Sequence, residues 1–536
     1  MDVAALNFRW SQALVAGFCA AGLREAVISP GSRSTPLALA MLRQPGLRCH
    51  VAVDERSAAF FALGLALAQR QPTLLLATSG SAPVHWAPAV IEASQAHVPL
   101  LLLAADRPPE LQDCGANQTI NQHRLFANHT RAEHHLPLPD EHLPFSYCHR
   151  LAAQAMAESQ WPQPGPVYLN QPFREPLVPL DDCPPPPPVV RCQVSHPVAV
   201  PSPAHVRQLA AQLCQAPGWI ICGQLPKSAD FAAGVTALAR HLDCPILAEP
   251  LSGLRFGHHD RSRLLVRYNH WLAEQPIEAD CSPAWVLRFG RFPVGRPLQT
   301  VLNASARLHV LVDPLPGWRD PTNQLSDLLH ADPVLFCQAM LNAGPAVEHP
   351  GWQATWQQRE TQATRALTPS VITTLLASLV AGDAVFVANS LSIRQFDCDS
   401  GHRGINLEIF ANRGASGIDG QVSTALGIAA ARGRVVALLG DLATQHDLGG
   451  LALATGLNAT LIAVNNAGGG IFDHLAQRQL PEFERGWRTP QTLDFQHAAA
   501  SFGLTYQRAD SLAQLAEHLK TSRQQGGPDL IEVILP

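Results

Sequence analysis

Chemistry is most legible between Gly440 and Phe472, in GDLATQHDLGGLALATGLNATLIAVNNAGGGIF. Asp441 follows an apolar run, Val435 to Leu439, and a second apolar run ends in Asn465-Asn466, so that the second amide stands 25 positions after the acid. Strand, acidic turn, helix and strand make a β-α-β unit. In an open α/β sheet ligands collect at the carboxyl ends of strands, so Gly440-Asp441 and Asn466-Ala467-Gly468 should converge. One carboxylate, one amide oxygen and bare carbonyls form a hard-oxygen set with little charge, which suits Mg²⁺ shared with phosphate oxygens and water. Gly440 and the run Gly468-Gly469-Gly470 would let backbone N–H groups approach a phosphate closely. The same residues also fit a helix N-cap and an Asn-Gly turn, so this stretch alone leaves both readings open.

The elements that must position such a site recur along the chain. Glu25 to Ser29 reads as a strand before the turn Pro30-Gly31-Ser32-Arg33, with a helix from Ser34. Val51 to Val53 reads as a strand, Glu55 to Gln69 as a helix, Thr73 to Ala77 as a strand, Pro83 to Ala96 as a helix and Val98 to Ala104 as a strand. Repeated β-α-β spacing predicts parallel sheet covered on both faces. Pro184 to Pro188 reads as a stiff linker, and a second α/β region follows with strands at Trp219 to Cys222, Trp285 to Phe289 and Leu308 to Val312. A polar, helical stretch near 340–365 reads as a second connector, and the last third runs from the strand Ala384 to Ala388 to the strand Leu530 to Leu535. The expectation is an α/β chain of three doubly wound parallel-sheet domains, 1–182, 190–340 and 366–536.

Composition narrows the partners. At 536 residues the chain exceeds one core. No apolar run reaches the roughly 18 residues of a membrane span, and the N-terminus carries no basic region before an apolar core, so a cytoplasmic protein without a signal peptide is expected. Twelve scattered cysteines without a CxxC pair predict reduced thiols. A net charge of −5 without a long basic run argues against nucleic acid. Of 38 basic residues only Lys227 and Lys520 are lysines, a skew that a general compositional bias accounts for first, although guanidinium groups are also the better bidentate partners for carboxylates.

The Gly-Asp…Asn-Asn spacing resembles the diphosphate motif of thiamine-diphosphate-dependent enzymes. That resemblance implies thiamine diphosphate as cofactor, held through Mg²⁺ or Mn²⁺ by Asp441, Asn466 and the carbonyl of Gly468; Leu442 stands where many members have glycine. It also implies an apolar-set carboxylate that protonates the cofactor's pyrimidine ring, which matches Glu55 in Val51-Ala-Val-Asp-Glu-Arg-Ser-Ala-Ala-Phe-Phe. Alone, Glu55 would read as a first-turn acid favourable to the helix dipole.

Longer stretches narrow the likeness. Ile28-Ser-Pro-Gly-Ser-Arg-Ser-Thr-Pro-Leu, Asp54-Glu-Arg-Ser-Ala-Ala-Phe, Ala105-Asp-Arg-Pro-Pro-Glu-Leu, Asn117-Gln-Thr-Ile-Asn-Gln and Asn412-Arg-Gly-Ala-Ser-Gly-Ile-Asp-Gly resemble the 2-succinyl-5-enolpyruvyl-6-hydroxy-3-cyclohexene-1-carboxylate synthases of menaquinone biosynthesis. The middle region matches more weakly, chiefly at Arg288-Phe-Gly-Arg-Phe-Pro-Val-Gly-Arg-Pro-Leu. Membership implies decarboxylation of 2-oxoglutarate and conjugate addition to isochorismate, both dicarboxylates, so a site rich in arginine is physically sensible. By this likeness the substrate contacts are Arg33, Arg107, Asn117, Gln118, Arg296, Ser390, Arg394 and Arg413; Pro297 departs from the arginine some members carry after the basic position. The implied cofactor contacts are Glu55, Ser390, Ile418, Gly440, Asp441, Leu442, Asn466, Gly469, Ile471 and Phe472, with Ile418 bending the cofactor and Ile471-Phe472 forming an apolar wall. A homodimer or homotetramer with the active site between subunits is implied as well. Another thiamine-diphosphate decarboxylase or carboligase, and a non-enzymatic regulatory relative, remain the alternatives. His446-Asp447, His85 and His134-His135 lack partners at ligand spacing and receive no role.

Overall fold

The computed structural model describes residues 2–179, 188–274, 277, 282–305 and 308–535, so the proline run expected as a linker lies almost wholly outside the described residues. Three six-stranded sheets account for the repeated strand–helix rhythm. The first holds β1 (Glu25–Ile28), β2 (Arg48–Val51), β3 (Thr73–Ala77), β4 (Leu100–Asp106), β5 (Ala132–His135) and β6 (Pro166–Pro172) in the order β2-β1-β3-β4-β6-β5. The second holds β7 (Trp219–Cys222), β8 (Ile246–Ala248), β9 (Leu264–Leu265), β10 (Trp285–Phe289), β11 (Leu308–Val312) and β12 (Asp327–Leu329) in the order β12-β11-β10-β7-β8-β9. Every pairing in these two sheets is parallel. The third holds β13 (Ala384–Val387), β14 (Glu408–Phe410), β15 (Val435–Gly440), β16 (Ala459–Val464), β17 (Thr505–Ala509) and β18 (Asp529–Val533) in the order β14-β13-β15-β16-β18-β17.

By contacts the chain divides into two compact units, Met1–His196 with Asn412–Gln507 and Gly526–Glu532, and Pro197–Ala411 with Arg508–Gln525 and Val533–Pro536. In the first unit, β3 and β4 are buried along their whole length, which is why Thr73 to Ala77 and the leucine run after Val98 read as uninterrupted apolar strands. Leu74, Leu76, Leu101 and Leu103 share a core with Trp10, Leu14 and Phe18 of the first helix. The helix Glu55–Gln69 packs along Gln421–Arg432.

In the second unit the middle sheet is covered on both faces, and the period of two is visible in its packing. Trp219, Ile221 and Val286 belong to one core, whereas Ile220, Cys222, Leu287 and Phe289 belong to the other. The stretch near 340–365, expected as a connector, instead supplies a cover for this sheet. Its helix Trp352–Arg365 buries Trp356 against Trp219 and Trp271, with ring centroids 4.9 and 5.4 Å apart. Glu360 of the same helix accepts the backbone N–H groups of Val266 and Arg267 at 2.9 and 3.0 Å. A polar helix with one buried tryptophan and one buried glutamate has too narrow an apolar stripe to announce its packing in sequence.

Two smaller expectations shift. β2 ends at Val51, and Val53 is 84% exposed because the chain turns there into the Asp54 cap, whose carboxylate accepts Arg56 N–H at 2.8 Å. The helix expected over 83–96 is a 3₁₀ turn, Pro83–Trp86, followed by the α-helix Ala87–Ala96, with Pro88 tolerated in its first turn. No helix among the described residues is long and apolar enough to cross a membrane, and the ten described cysteines are free thiols.

Candidate active site

The carboxyl ends of β1, β3, β4 and β6 lie along one rim of the first sheet, because all four strands run parallel. Chain order reverses between β1 and β3, which is where an open α/β sheet forms its crevice. Arg33, five residues past β1, is 2% exposed and donates from Nη1 to the Phe173 carbonyl at 3.0 Å and from Nη2 to Glu175 Oε1 at 2.7 Å. Arg107, directly after β4, brings Nη1 within 3.8 Å of the same oxygen. Two guanidinium groups thus converge on one carboxylate, and the Nε of each is buried without a hydrogen-bond partner.

A buried polar network aims Arg107. Gln122, fully buried, accepts Gly80 N–H at 2.8 Å and donates to the Ala105 carbonyl at 3.1 Å and to Asn170 Oδ1 at 2.8 Å. Asn170 donates to Asp106 Oδ2 at 2.7 Å, and Asp106 Oδ1 accepts the N–H of Arg107 at 2.7 Å. Burial pushes the Asp106 carboxyl above its ordinary range, with the Asn170 and Gln112 bonds pulling it back. Gln118 joins this rim by donating to the Ser79 carbonyl at 3.1 Å, with its own φ at 53°, while Asn117 stays exposed beside it. Glu55 opens the helix Glu55–Gln69 after β2, half-buried, next to Val51 and Val53 at 59% and 84% exposed. In this chain its setting is therefore open rather than apolar.

The second cluster forms where β15 and β16 end. Their register pairs Gly440 with Val464, so Asp441 and Asn465 leave the sheet at the same level. The convergence expected from sequence is made by one hydrogen bond, Gly468 N–H to Asp441 Oδ2 at 2.7 Å, and Asp441 Oδ1 accepts Leu442 N–H at 2.8 Å. Asp441 is 5% exposed, and burial pushes its carboxyl up, while the Gly468 and Leu442 bonds and the charge of Arg488 pull it down. The two asparagines divide their work. Asn465 donates to Glu532 Oε1 at 2.6 Å and accepts Ala467 N–H at 2.9 Å, which builds the turn, whereas Asn466 is exposed.

The glycine run serves packing more than phosphate approach. Gly468 has φ of +128°, and a Cβ there would lie 2.3 Å from the Arg488 carbonyl. The N–H groups of Gly468, Gly469 and Gly470 already donate to Asp441, to the Arg488 carbonyl at 2.7 Å and to the Gly468 carbonyl at 2.9 Å. Ile471 and Phe472 follow, half-buried, in a short 3₁₀ turn, and Leu442 is half-buried at the start of Asp441–His446. Arg488, which donates to the Asn466 carbonyl, escaped the sequence reading, since nothing in its flanks marks it. Gln122 closes the stretch Asn117-Gln-Thr-Ile-Asn-Gln, whose resemblance could have drawn attention to it, but it received no role from the sequence.

Ile418 is 38% exposed, and Arg413, half-buried, stands five residues before it on the same loop. In the second unit, Ser390 caps the helix Leu391–Asp399 with φ 69° and ψ −126°, a costly backbone for a non-glycine residue. Arg394 is exposed and donates to the Ser390 carbonyl at 2.6 Å. Arg296 is exposed at the first position of the helix Arg296–Ser305.

The donor set at Asp441 fits a metal–diphosphate: a desolvated carboxylate, an exposed amide side chain and the carbonyls of the turn supply hard oxygens with a single charge. Among the described residues no cluster of three or more His, Cys, Asp or Glu could hold a metal, so an ion here would take amide, carbonyl, water or phosphate oxygens beside the one carboxylate.

Two family models match this chain. Residues 8–125 match the thiamine pyrophosphate enzyme N-terminal TPP binding domain, and residues 402–533 the C-terminal TPP binding domain. The 2-succinyl-5-enolpyruvyl-6-hydroxy-3-cyclohexene-1-carboxylate synthase of Dechloromonas aromatica (strain RCB) is 53% identical over 99% of this chain and 99% of its own. That of Geobacillus kaustophilus (strain HTA426) is 41% identical over 98% of this chain and 94% of its own. Among solved structures, benzoylformate decarboxylase from Polynucleobacter necessarius superposes with a TM-score of 0.71 at 17% identity, covering 98% of both chains, which speaks for the fold. With a rim that gathers arginines, a strand-end carboxylate and end-to-end relatives of one kind, the chain belongs to the 2-succinyl-5-enolpyruvyl-6-hydroxy-3-cyclohexene-1-carboxylate synthase family of thiamine pyrophosphate enzymes.

Proposed function

We propose that this chain is a thiamine-diphosphate-dependent transferase that decarboxylates 2-oxoglutarate and joins the remaining four-carbon unit to isochorismate by conjugate addition. The products are 2-succinyl-5-enolpyruvyl-6-hydroxy-3-cyclohexene-1-carboxylate and CO₂, in menaquinone biosynthesis. The observation that carries the reading is the meeting of Arg33 and Arg107 on one oxygen of Glu175, at 2.7 and 3.8 Å. Glu175 is 68% exposed, so its carboxylate is displaceable, and it occupies the spot that a substrate carboxylate would take.

Thiamine diphosphate, when bound, supplies the carbanion chemistry by which a 2-oxo acid loses CO₂ and its acyl carbon turns nucleophilic. Glu55 holds a proton at the pyrimidine ring nitrogen. Asp441, the Asn466 side chain and the Gly468 carbonyl would hold Mg²⁺ or Mn²⁺, and Gly440, Leu442 and Gly469 would line the diphosphate. What supports a dication there is the buried Asp441 carboxylate, whose desolvation a cation relieves. Ile418 would support the cofactor, and Ile471 and Phe472 would exclude water. Arg33, Arg107, Asn117, Gln118, Arg413, Arg394, Ser390 and Arg296 orient the two substrates.

The three sheets correspond to domains 1–182, 190–340 and 366–536 in this reading. The protein works in the cytoplasm as a homodimer or homotetramer whose active site lies between subunits. The half-open Glu55 beside exposed Val51 and Val53 supports that arrangement, because a proton-holding carboxylate gains its apolar setting only once those valines are covered.

The test is isochorismate consumption by the purified protein with thiamine diphosphate, Mg²⁺ and 2-oxoglutarate, run beside pyruvate as donor. Consumption that needs both 2-oxoglutarate and cofactor is expected. No consumption with either donor, despite demonstrated cofactor binding, overturns the assignment; consumption with pyruvate instead makes the protein a different carboligase.

A further inference from the structure

Glu92 is the sixth residue of the helix Ala87–Ala96 and is 3% exposed. A glutamate buried there needs partners, and those it has are backbone. Oε1 accepts Gly414 N–H at 2.6 Å, while Oε2 accepts Ala415 N–H at 2.7 Å and Ser416 N–H at 3.1 Å. Three consecutive N–H groups pointing at one place form a concavity that ordinarily takes an anion, and here the chain fills it with its own carboxylate. Bonds from N–H groups to a buried carboxylate are among the stronger ones a protein makes.

The loop's other contacts leave it little freedom. A Cβ at Gly414 would lie 2.3 Å from the Glu92 carbonyl and 2.8 Å from Ala96 N, so the loop backbone rests directly on the helix. Ser416 has φ of 64°, a conformation that needs outside support. Just before the cradle, Asn412 is 1% exposed and donates to Thr424 Oγ1 at 3.0 Å. Arg413 thus stands between two fixed points, and Ile418 follows two residues past the cradle.

We infer that Glu92 is a positioning residue for the synthase reaction: its carboxylate sets the backbone of residues 414–416 and thereby aims Arg413 at the substrate. The inference rests on the role proposed above for Arg413. Charge and reach both enter it. Glutamine keeps the shape but has one acceptor oxygen, so its amide nitrogen faces at least one of the three N–H groups. Aspartate keeps two acceptor oxygens and the charge but is one methylene shorter.

Two measurements on the full-length chain test this. Hydrogen exchange of the cofactor-free protein reads the geometry directly: Glu92→Gln should speed exchange at Gly414, Ala415 and Ser416 at least about tenfold, the loss of roughly one charge-assisted bond, with the amides of β3 and β4 unchanged. Steady-state kinetics read the consequence. Glu92→Gln should lower kcat/KM for isochorismate by about 10- to 100-fold, the effect of an ångström-scale misplacement, with the calorimetric affinity for thiamine diphosphate and Mg²⁺ retained. Glu92→Asp should recover part of the loss, and it carries the test if the glutamine variant fails to fold. In an Arg413→Ala background Glu92→Gln should cost little more, because both changes remove the same contact. Unchanged exchange at 414–416, or a kinetic loss that multiplies fully with Arg413→Ala, overturns the inference. Wild-type kinetics for Arg413→Ala alone would instead remove Arg413 from the proposed site, while the exchange data still judge whether Glu92 holds the loop.

Discussion

Replacing Gly64 by alanine would put a Cβ 2.1 Å from the Thr424 carbonyl oxygen and 3.0 Å from Gly427 Cα. The reciprocal change, Gly427→Ala, would put one 2.1 Å from the Phe61 carbonyl. The helices Glu55–Gln69 and Gln421–Arg432 therefore cross backbone to backbone, with each glycine making room for the other. A carbon rests against a carbonyl oxygen at about 3.3 Å or more, so either methyl group demands that the helices part by about 1 Å. Overpacking of this kind costs about 1–3 kcal/mol. The displacement reaches Glu55, 64 − 55 = 9 residues away and about 13 Å along the axis, because a helix moves as a body. At the other helix it reaches Gly420 and the loop that carries Ile418. A 1 Å misplacement of positioned groups costs about 10²-fold in rate, so Gly64→Ala should lower kcat/KM on that order and bring forward thermal unfolding. The double variant Gly64→Ala/Gly427→Ala should lose less than the product of the singles, since one separation accommodates both methyl groups. Gly486→Ala is the control: nothing lies within 4 Å of its added Cβ. A Gly64→Ala enzyme with wild-type melting temperature and kcat/KM within about twofold would refute the argument that this crossing fixes the site.

Other substitutions separate roles that proximity alone would merge. Glu55→Gln should lower turnover by about 10²- to 10⁴-fold, as for a lost acid–base group, with cofactor affinity in calorimetry retained; near wild-type turnover would remove Glu55 from the mechanism. Asn466→Ala should abolish Mg²⁺-dependent cofactor binding with little change in the melting temperature of the cofactor-free protein. Asn465→Ala should instead lower that melting temperature, by about 1–3 kcal/mol of stability, because it leaves Glu532 Oε1 and the Ala467 N–H without their Asn465 partner while Glu532 Oε2 keeps the Tyr506 hydroxyl at 2.5 Å; equal effects from the two would contradict the division of labour. Asp447 is fully buried, accepts Ser423 N–H at 2.7 Å and Ser423 Oγ–H at 3.0 Å, faces Arg56 and Asp54, and has its carboxyl pushed up to about 6 by burial. Its folded-state value lies above the unfolded one of about 3.9, so folding favours the protonated form, and that contribution is lost as pH rises through about 6. Asp447→Asn cannot ionise and should gain on the wild type between about pH 4 and 6, levelling off above pH 6 at about 3 kcal/mol; a difference independent of pH would refute it.

Strands such as Thr73–Ala77, Trp219–Cys222 and Trp285–Phe289 were legible to the residue because strands buried on both faces read as unbroken apolar runs. β5, with sequence Ala-Glu-His-His, was not: it is an edge strand, and its polar side chains erase the pattern. The convergence of Asp441 and Gly468 was legible because the register of adjacent parallel strands fixes which residues leave a sheet together. What escaped were the side chains that fix loops from a distance. Glu92 and Asp447 lie in apolar or unremarkable surroundings, and their partners are backbone N–H groups 322 and 24 residues away, which leave no mark on residue type. Arg488 bonds a carbonyl and is equally silent.

These hidden groups share a physical logic. A loop that must lie close to a ligand or a neighbouring helix is built from glycine, and glycine brings neither a capping side chain nor a restricted backbone. The helix Gln421–Arg432 has Gly420 as its N-cap, and the missing cap arrives from Asp447 through space at Ser423 N–H. The 414–416 turn obtains its acceptor from Glu92, and the Gly468 turn obtains its acceptor from Asp441. In all three places a buried carboxylate collects the backbone donors that a glycine-rich loop cannot satisfy itself, and the charge makes each bond worth more than a neutral acceptor's. Asp447 and Asp441 meet a desolvation cost that raises their carboxyls. Of these two, only Asp441 lies at the end of a strand beside an exposed amide and a carbonyl-bearing turn, where a dication can reach it. At the proposed metal site a dication would relieve the burial that makes Asp441 a costly anion in the free chain, so loop positioning and the proposed metal contact would share one carboxylate.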